Sequence, residues 1–462
     1  MHSIQSFSTA EVASMAGIHR DTLLRWLRQH AIPEPRRDRR GWRVFTPQEA
    51  ATIVAFARGD GRAAARAIPL DDETAIARLE AIDWDFAAAN TAYLTHGLHP
   101  YPAKFIPQIP NALIQELSSV GETVGDIFCG SGTTLLEALQ LKRHAVGIDA
   151  NPLAVLISKA KTTPLTVSEF EQLVAHRIAC ERMLGVAESR AGDMFHDGRP
   201  FKSESWRPAP EICEFWFVPH VVEELAELRC LIDGVPDKSA RRLCKAVFAA
   251  IIVAVSKQDS DTRYVRREKT VEPGDTTRRY LSQLDAAIFA VREVSDLIED
   301  RFSCEVFDED VLDAPETEPF DLMVTSPPYP NAYSYHLYHK TRLIWLGYDA
   351  DRFKKVEIGS HRKYSSKGRN RATPETFRRE FMQIFQWLRE RLRTRRHACF
   401  VIGDSTIDGD RIDNASLLAS AGATAGFREI ARIGRKIAPT RKSFNPRIGK
   451  IKSEKILILR KE

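Results

Sequence analysis

The chain has 462 residues, of which 43% are hydrophobic and 28% are charged, the balance of an ordinary globular protein. This length predicts two or three domains, and the composition excludes a collagenous, disordered or membrane-embedded chain. The longest apolar run, residues 246–255, is too short to span a bilayer. The N-terminus lacks a basic-then-apolar signal segment, so we expect a cytoplasmic protein. Seven scattered cysteines without a C-x-x-C pair argue against a disulfide framework or a zinc site.

The charge is distributed unevenly along the chain. The formal net charge is +5 in total, but residues 1–66 carry +5, residues 67–350 carry −16 and residues 351–462 carry +16. Two basic ends that flank an acidic middle are the usual footprint of a polyanion-binding surface. Solvated helix faces are the alternative explanation, and charge alone does not decide between the two.

The N-terminal part predicts a small helical unit. Ser8 and Glu11 form a capping-box pattern that opens one helix, Gly17 ends it, and a second helix follows over residues 19–29. A basic segment at residues 36–43, a short strand and a third helix come next. Helix, short turn and helix is helix-turn-helix geometry, and the basic segment is typical of a wing that grips phosphate. This stretch resembles the MerR-type winged helix, although such shapes also serve protein contacts.

The rest of the chain divides by composition into a connecting stretch and an α/β region. Residues 59–90 are rich in alanine and charge and predict a helical linker. Residues 91–462 show an α/β pattern that a mainly helical stretch, residues 152–300, interrupts. Strand-like runs lie at residues 122–127, 145–148, 304–307, 322–325, 399–402 and 455–459.

A glycine-containing turn, Asp-Ile-Phe-Cys-Gly-Ser-Gly-Thr-Thr, occupies residues 126–134 between a predicted strand and a predicted helix. Glycines there let the backbone approach a ligand closely, with the helix N-terminus pointing at it. The next predicted strand ends in Asp149, where doubly wound folds hold the ribose hydroxyls of a nucleoside cofactor. The turn is not G-x-G-x-x-G and lacks the Lys-Ser/Thr pair of a phosphate loop, which argues against dinucleotides and ATP.

The turn resembles the first motif of S-adenosylmethionine-dependent amino-methyltransferases of nucleic acid, except at Ile127, where that family usually has proline. The upstream segment His-Pro-Tyr-Pro-Ala-Lys-Phe resembles the one that closes over the methionine end of the cofactor in such enzymes. The resemblance implies that Asp149 holds the ribose and that Asp310 lies beside the adenine. Asp308 and Glu309 compete with Asp310 for this role. The implied cofactor-binding residues are Tyr101, Lys104, Phe105, Asp126, Phe128, Gly130, Gly132, Thr133, Asp149 and Asp310.

A second motif, Thr-Ser-Pro-Pro-Tyr at residues 325–329, follows a predicted strand at the end where doubly wound sheets put reactive groups. Its two prolines fix φ and remove amide donors, so nearby carbonyls can aim outward as acceptors. The exocyclic amine of a base is a poor nucleophile because its lone pair is delocalised into the ring. A hydroxyl and a backbone carbonyl that accept hydrogen bonds from the two N–H groups of this amine would make its lone pair available for reaction. Tyr329 can stack on the extruded ring, because the target base must leave the duplex to be reached.

This motif resembles the catalytic Ser/Asp/Asn-Pro-Pro-Tyr/Phe motif of amino-methyltransferases, which implies catalytic roles for Ser326, Pro327, Pro328 and Tyr329. The Thr-Ser-Pro-Pro-Tyr form leans toward N4 of cytosine, and the Asp form leans toward N6 of adenine. Methylation at C5 of cytosine is disfavoured, because the chain has no Pro-Cys dipeptide. The cofactor motif precedes the catalytic motif here, whereas many cytosine-N4 enzymes have the opposite order.

Two further stretches are dense in polar or aromatic side chains. Residues 256–264 follow a predicted buried helix, and we expect a solvated helix end there, with a role in shaping the target pocket as the alternative. The aromatic run at residues 333–339 suits the flipped base and its neighbours, and it equally suits a core helix. His336 and His339 have no third ligand in view, so we expect no metal site.

Two basic loops, residues 352–371 and 428–462, suit phosphate contacts, which position DNA and do not read its sequence. The N-terminal helix-turn-helix adds a second basic surface. The predicted DNA-binding residues are Arg20, Arg25, Arg39, Arg40, Arg362, Lys363, Lys367, Arg441 and Lys442.

These patterns predict an α/β fold: a Rossmann-like methyltransferase sheet with a large helical insertion, preceded by an all-α winged helix-turn-helix domain. The predicted domains are residues 1–58 (MerR-like), 59–90 (helical linker) and 91–462 (methyltransferase, with its insertion at 152–300). The expected activity is site-specific methylation of double-stranded DNA with S-adenosylmethionine, most favourably at cytosine N4.

The alternatives are an adenine-N6 DNA enzyme, an RNA methyltransferase of the guanine-N2 type, and a non-catalytic transcriptional regulator that binds S-adenosylmethionine. The Ser-Pro-Pro-Tyr motif argues against the regulator, because a sensor needs no amine-activating motif. No nuclease domain is recognisable, so any restriction endonuclease partner would be a separate protein.

Overall fold

A computed structural model describes residues 7–18, 20–28, 35–37, 43–57, 72–87, 89–191, 205–331, 333–366, 371–437 and 453–462. The chain divides into two compact units, Met1–Asp71 and Asp72–Glu462.

The described residues of the N-terminal unit form three helices and three short strands. In chain order these are β1 (Phe7–Ser8), α1 (Thr9–Met15), α2 (Arg20–Arg28), β2 (Arg36–Arg37), β3 (Arg43–Phe45) and α3 (Pro47–Ala57). The capping box expected at the start of α1 is present, since the Ser8 amide donates to the Glu11 carboxylate over 2.7 Å and the Glu11 amide donates to the Ser8 hydroxyl over 3.4 Å. Val12, Leu23 and Phe45 are buried at its centre. The helix-turn-helix prediction is confirmed, and the expected short strand, β3, lies between β1 and β2 in an antiparallel sheet of the order β1-β3-β2.

The second unit is built on a seven-stranded sheet with two small hairpins beside it. Its strands are β4 (Thr123–Asp126), β5 (His144–Asp149), β6 (Gln258–Ser260), β7 (Arg263–Arg266), β8 (Cys304–Asp308), β9 (Phe320–Thr325), β10 (Leu392–Gly403), β11 (Ser405–Ile407), β12 (Asp410–Ile412), β13 (Phe427–Lys436) and β14 (Ser453–Lys461). The sheet order is β13-β14-β10-β9-β4-β5-β8, and the hairpins are β6-β7 and β11-β12.

The order of the strands creates one topological switch point. From β4 the chain moves outward to β5 and β8, and it then returns to place β9 on the other side of β4. The pairs β4-β5, β5-β8, β4-β9 and β9-β10 are parallel, and β14 is antiparallel to both β10 and β13. At a switch point, the chain leaves two adjacent parallel strands toward opposite sides of the sheet. The two connections leave a crevice between them at the carboxyl ends of the strands, and sheets of this kind bind ligands there.

Helices cover both faces of this sheet and form the insertion. They are α4 (Asp72–Glu80), α5 (Gln108–Leu117), α6 (Thr133–Gln140), α7 (Pro152–Thr162), α8 (Val167–Ala191), α9 (Pro210–Trp216), α10 (Pro219–Asp233), α11 (Lys238–Val255), α12 (Asp275–Leu297), α13 (Tyr335–Tyr338), α14 (Lys340–Leu346), α15 (Ala350–Val356), α16 (His361–Ser365), α17 (Pro374–Arg391) and α18 (Asn414–Thr424), with 3-10 turns at Leu94–Gly97 and Val311–Asp313. The predicted α/β class with a large helical insertion is confirmed.

The central strands are buried on both faces, which explains their continuous apolar sequences. Leu322 and Val324 of β9 pack into the cluster that contains α5 and α6. Met323, between them in sequence, packs on the opposite face with α17 and α18. Within the stretch that was predicted as a linker, Leu79 and Trp84 are buried in the first of these clusters. The segment that begins at α4 is therefore part of the second unit's core.

The helical insertion packs against the segment that follows β9. The Gln258 amide donates to the Tyr338 carbonyl over 3.1 Å and accepts from the Thr341 hydroxyl over 2.9 Å. Arg342, which is fully buried, donates to the Ala249 carbonyl over 2.9 Å. Ser256 and Gln258 are also buried. The expectation of a solvated helix end at residues 256–264 is therefore wrong for these two side chains, because their polar groups find partners inside the protein.

Within the described ranges, no helix combines the length and the apolar character that a membrane crossing requires.

Gly125 of β4 provides a test of how tightly β4 and β9 pack. A Cβ at this position would lie 2.9 Å from the ring of Phe320, which is fully buried on β9. We expect Gly125→Ala to lower the free energy of unfolding by ~1–3 kcal/mol, the usual cost of an overpacked core. Gly434→Ala on β13 is the matched control, because no described atom lies within 4 Å of its added Cβ. Equal urea denaturation midpoints for the two variants would contradict this packing.

Candidate active site

A cavity of about 440 Å³ opens at the carboxyl ends of β4, β5 and β9, at the switch point of the sheet. Its size lies in the range of about 300–1,000 Å³ that is typical of sites for small ligands. Eight of the ten predicted cofactor-binding residues line it: Tyr101, Lys104, Phe105, Phe128, Gly130, Thr133, Asp149 and Asp310. The four residues of the predicted catalytic motif, Ser326, Pro327, Pro328 and Tyr329, line the same cavity.

The glycine turn is shaped by close packing against α7. Gly132 has φ of +73°, and a Cβ there would lie 3.0 Å from Ser158 Cβ and 3.1 Å from Ser158 Cα. Gly130 has φ of +50°, and its carbonyl accepts the Ser158 hydroxyl over 2.8 Å. Gly132 thus lies behind the cavity lining and lets the turn lie flat on α7, whereas Gly130 faces the cavity.

Asp149 ends β5 and holds the glycine turn in place. Its carboxylate accepts the Gly130 amide over 2.8 Å and the Asn151 amide over 2.9 Å. Burial raises the pKa of Asp149 to about 7. Each carboxylate oxygen keeps a second lone pair, so Asp149 can also accept hydroxyl groups of a ligand.

Asp126 lies behind the cavity lining and joins the turn to β9. Its Oδ1 accepts the Thr325 hydroxyl over 2.6 Å and the Phe128 amide over 3.1 Å, and the residue is 1% exposed. Its buried Oδ2 has no hydrogen-bond partner among the described residues. Burial raises the pKa of Asp126 to about 6. Asp126 was predicted to contact the cofactor, but it is not among the residues that line the cavity. Its hydrogen bond from Thr325 instead connects the end of β4 to the end of β9.

The segment that precedes the turn is anchored to α6 by Glu137, which is fully buried. The Glu137 carboxylate accepts the Tyr93 hydroxyl over 2.8 Å, His96 Nε2 over 2.7 Å and the Asn111 amide group over 2.6 Å. Burial lowers the pKa of His96 to about 4, so the neutral ring donates this bond. Lys104 Nζ donates to the His96 carbonyl over 2.7 Å. This network holds the predicted cofactor-covering segment against the helix that begins at the glycine turn.

The catalytic motif is packed against the loop after α15. Gly359 has φ of +72°, and a Cβ there would lie 3.0 Å from the Tyr329 carbonyl oxygen and 3.2 Å from that of Pro328. The Asn331 amide donates to the Gly359 carbonyl over 3.0 Å. At the other end of its side chain, the Tyr329 hydroxyl donates to Glu454 over 2.9 Å. Both ends of Tyr329 are therefore held.

Aromatic rings form one wall of the cavity. Tyr101 stacks on His339 with ring centroids 4.9 Å apart and on Tyr335 with centroids 6.0 Å apart. Tyr333 and Tyr335 line the cavity, as Tyr101 does. The predicted cofactor segment and the aromatic run after the catalytic motif thus contribute rings to the same wall of the cavity, which suits a planar ligand.

Sequence reasoning missed three charged residues that line the cavity, Glu357, Arg435 and Glu454. None lies in a recognisable motif. With them, the cavity has five carboxylates, those of Asp149, Glu309, Asp310, Glu357 and Glu454, and two basic side chains, those of Lys104 and Arg435. A surplus of carboxylates favours a ligand that carries positive charge.

The predicted DNA-binding residues lie in several places. Arg20 is exposed on α2, and Arg25 lies in the same helix. Arg362, which is exposed, and Lys363 lie on α16, directly after the loop that packs on the catalytic motif. Outside the described residues lie Arg39, Arg40, Lys367, Arg441 and Lys442. The described residues include no group of three or more His, Cys, Asp or Glu side chains that could hold a metal ion.

The strand order, the glycine turn and the cavity at the switch point define a doubly wound α/β protein with a ligand site at the carboxyl ends of its strands. Residues 65–160 match the N6/N4 methyltransferase family model, described as DNA methylase, and residues 7–57 match the MerR HTH family regulatory protein model. Residues 65–160 are therefore similar to DNA methylases of the N6/N4 family, and residues 7–57 are similar to MerR-type helix-turn-helix proteins.

Relatives with assigned names align with parts of the chain. The Type II methyltransferase M.MvaI of Kocuria varians is 27% identical over 289 residues, which cover 59% of this chain and 62% of that protein. The Type II methyltransferase M.MjaII of Methanocaldococcus jannaschii is 32% identical over 99 residues, 20% of this chain and 18% of that protein. The chain thus aligns with less than two thirds of either relative. Among solved structures, the rRNA methyltransferase aviRa of Streptomyces viridochromogenes is 10% identical with a TM-score of 0.29, covering 82% of this chain and 94% of that one.

The buried carboxyl of Asp126 predicts a pH-dependent stability. Its pKa is about 6 in the folded protein and 3.8 ordinarily, so the folded state holds the proton more tightly than the unfolded state. This group therefore lowers the free energy of unfolding as pH rises from about 4 to 7, by roughly 3 kcal/mol. Asp126→Asn removes the titration. The difference in unfolding free energy between variant and wild type should change by that amount over the same pH range.

Asp413→Asn is the control for this measurement. At Asp413 burial, which raises the pKa, is outweighed by hydrogen bonds from Lys455 and Ser416, and the pKa falls to about 2. Its contribution to stability is lost only below about pH 4, so the difference from wild type should stay constant between pH 4 and 7. Urea denaturation at each pH measures both variants. A constant difference for Asp126→Asn as well would contradict the burial of an ionisable Asp126.

Proposed function

We propose that the protein is an S-adenosylmethionine-dependent DNA methyltransferase that modifies the exocyclic amine of a base flipped out of double-stranded DNA. The observation that carries this proposal is that the glycine turn after β4 and the Ser-Pro-Pro-Tyr motif after β9 line one cavity. Methyl transfer requires donor and acceptor to meet in line, and a shared cavity provides that arrangement. The DNA methylase family match and the relatives named Type II methyltransferases support the same reaction.

The residues of the cavity fit S-adenosylmethionine. Gly130 brings backbone to the cavity surface, and Asp149 offers acceptor oxygens for ribose hydroxyls. Apart from the ion-paired Arg435 and Glu454, four carboxylates and one lysine line the cavity, which suits a cofactor that carries a sulfonium and an ammonium group. Ser131 is buried in the turn, and its hydroxyl has no partner among the described residues, so it can donate to a bound ligand. When bound, S-adenosylmethionine supplies an electrophilic methyl group.

The side chains of the catalytic motif prepare the acceptor amine. The Ser326 hydroxyl and a backbone carbonyl of the Pro-Pro segment accept hydrogen bonds from the two N–H groups of the amine. These hydrogen bonds draw the amine nitrogen toward pyramidal geometry. Tyr329 stacks on the ring of the extruded base. No group of the chain bonds covalently to the base, so the rate enhancement rests on positioning and electrostatics.

The proposed target atom is N4 of cytosine. Thr325-Ser326, in place of an aspartate, is the feature of this chain that favours cytosine, and adenine N6 is the alternative within the same chemistry. The exposed Arg362 on α16 and the helix-turn-helix segment supply basic groups for the DNA backbone.

The product identifies the reaction. Incubation with methyl-labelled S-adenosylmethionine and unmethylated genomic DNA should give N4-methylcytosine, detected by mass spectrometry of nucleosides. Ser326→Ala removes an acceptor aimed at the amine and should lower the transfer rate by about 100-fold, as for other single groups that stabilise a transition state. Ser282→Ala, on the exposed side of α12, is the matched control and should leave the rate unchanged.

Each other outcome has a defined meaning. N6-methyladenine would keep the mechanism and overturn the target base. Label that enters tRNA and not DNA would overturn the substrate class. Full activity of Ser326→Ala would contradict the assigned role of the motif.

A further inference from the structure

Two charged residues of the C-terminal strands line the cavity and have no part in the chemistry above. Arg435 near the end of β13 pairs in register with Glu454 at the start of β14. Arg435 Nη1 lies 2.7 Å from Glu454 Oε2, and the Arg435 side chain is 6% exposed. This is a buried ion pair at the wall of the cavity. Buried ion pairs contribute little net stability, so its location calls for another explanation.

Glu454 connects this ion pair to the catalytic motif. The Tyr329 hydroxyl donates to Glu454 Oε1 over 2.9 Å. Burial and the neighbouring Glu454 carboxylate raise the pKa of Tyr329 well above its ordinary value, so its hydroxyl stays protonated and donates this bond. A hydrogen bond to an ionised acceptor is roughly twice as strong as one between neutral groups.

Arg435 is in turn fixed to the main chain. Its Nε donates to the Trp84 carbonyl over 3.1 Å. Trp84 is buried, and its indole N–H donates to the Leu79 carbonyl over 2.8 Å. The series of contacts from Tyr329 through Glu454 and Arg435 therefore ends on buried backbone, which is a rigid support.

We propose that Glu454, oriented by Arg435, is a positioning residue that holds the Tyr329 ring in the orientation needed to stack on the target base. The inference rests on the methyl transfer proposed above and adds a residue that lies far from any motif. A ring held at its backbone and at its hydroxyl is already ordered when the base arrives. A Tyr329 ring without the hydroxyl contact to Glu454 must lose rotamer freedom when the base binds, which lowers the fraction of productive complexes.

A double-mutant cycle separates positioning from support of the fold. Tyr329→Phe and Glu454→Ala each remove the hydrogen bond between the Tyr329 hydroxyl and Glu454, and each should lower kcat by about tenfold, the value of one hydrogen bond to a charged group. The longer hydrogen bond of 3.4 Å from the Tyr329 hydroxyl to the Val401 carbonyl is lost only in Tyr329→Phe. The double variant should also lose about tenfold and not about 100-fold, because the first change has already removed the hydrogen bond between Tyr329 and Glu454. The KM for S-adenosylmethionine should stay unchanged. Glu454→Gln keeps an acceptor oxygen and should restore most of kcat.

Glu429→Ala is the matched control, because it breaks a carboxylate–arginine pair with Arg432 on β13, outside the cavity lining. It should leave kcat unchanged. Additive losses in the double variant, or an unchanged kcat in Glu454→Ala, would overturn the proposal.

A second measurement does not depend on turnover. In protein labelled with 3-fluorotyrosine, the resonance that Tyr329→Phe removes belongs to Tyr329. Glu454→Ala should shift and broaden this ¹⁹F signal, and Glu429→Ala should not. An unchanged signal overturns the proposal even if methyl transfer is observed. Absence of methyl transfer in the wild type, with the signal changed as expected, overturns the proposed function and leaves the positioning contact in place.

Discussion

The site depends on the contact between two parallel strand ends that are distant in sequence. The Thr325 hydroxyl at the end of β9 donates to Asp126 at the end of β4, across a separation of 199 residues. Because both strands end at the same edge, the glycine turn and the catalytic motif face one cavity. Burial raises the pKa of Asp126 although the hydrogen bond from Thr325 acts in the opposite direction, so the buried carboxylate costs stability and is explained by the geometry that it provides.

Two other parts of the second unit hold this pair of loops from two sides. On one side the insertion contacts the segment after the catalytic motif, where Gln258 bonds the Tyr338 carbonyl and Arg342 bonds the Ala249 carbonyl. On the other side the C-terminal strands contribute Glu454, which holds the Tyr329 hydroxyl. The large insertion and the C-terminal strands are therefore part of the site's support.

Features with a local sequence pattern could be predicted, and features made by long-range contacts could not. The glycine turn and the Ser-Pro-Pro-Tyr motif are continuous in sequence and both line the cavity. The strand predicted at residues 399–402 in fact spans Leu392–Gly403, because its arginine-rich start hides the strand pattern. Glu454 accepts a hydrogen bond from Tyr329, 125 residues away, and Gln258 donates one to Tyr338, 80 residues away. No local sequence pattern indicates either contact. Polar side chains of this kind look solvated until the fold supplies their partners.

The central claim, that one cavity serves both the cofactor turn and the catalytic motif, can be tested by hydrogen exchange measured by mass spectrometry. The protein would be compared with and without saturating S-adenosylmethionine, in the absence of DNA. We expect slower exchange in peptides that contain residues 127–136 and, in the same experiment, in peptides that contain residues 322–331. Slower exchange in only one of these segments, or only in the N-terminal unit, would contradict it.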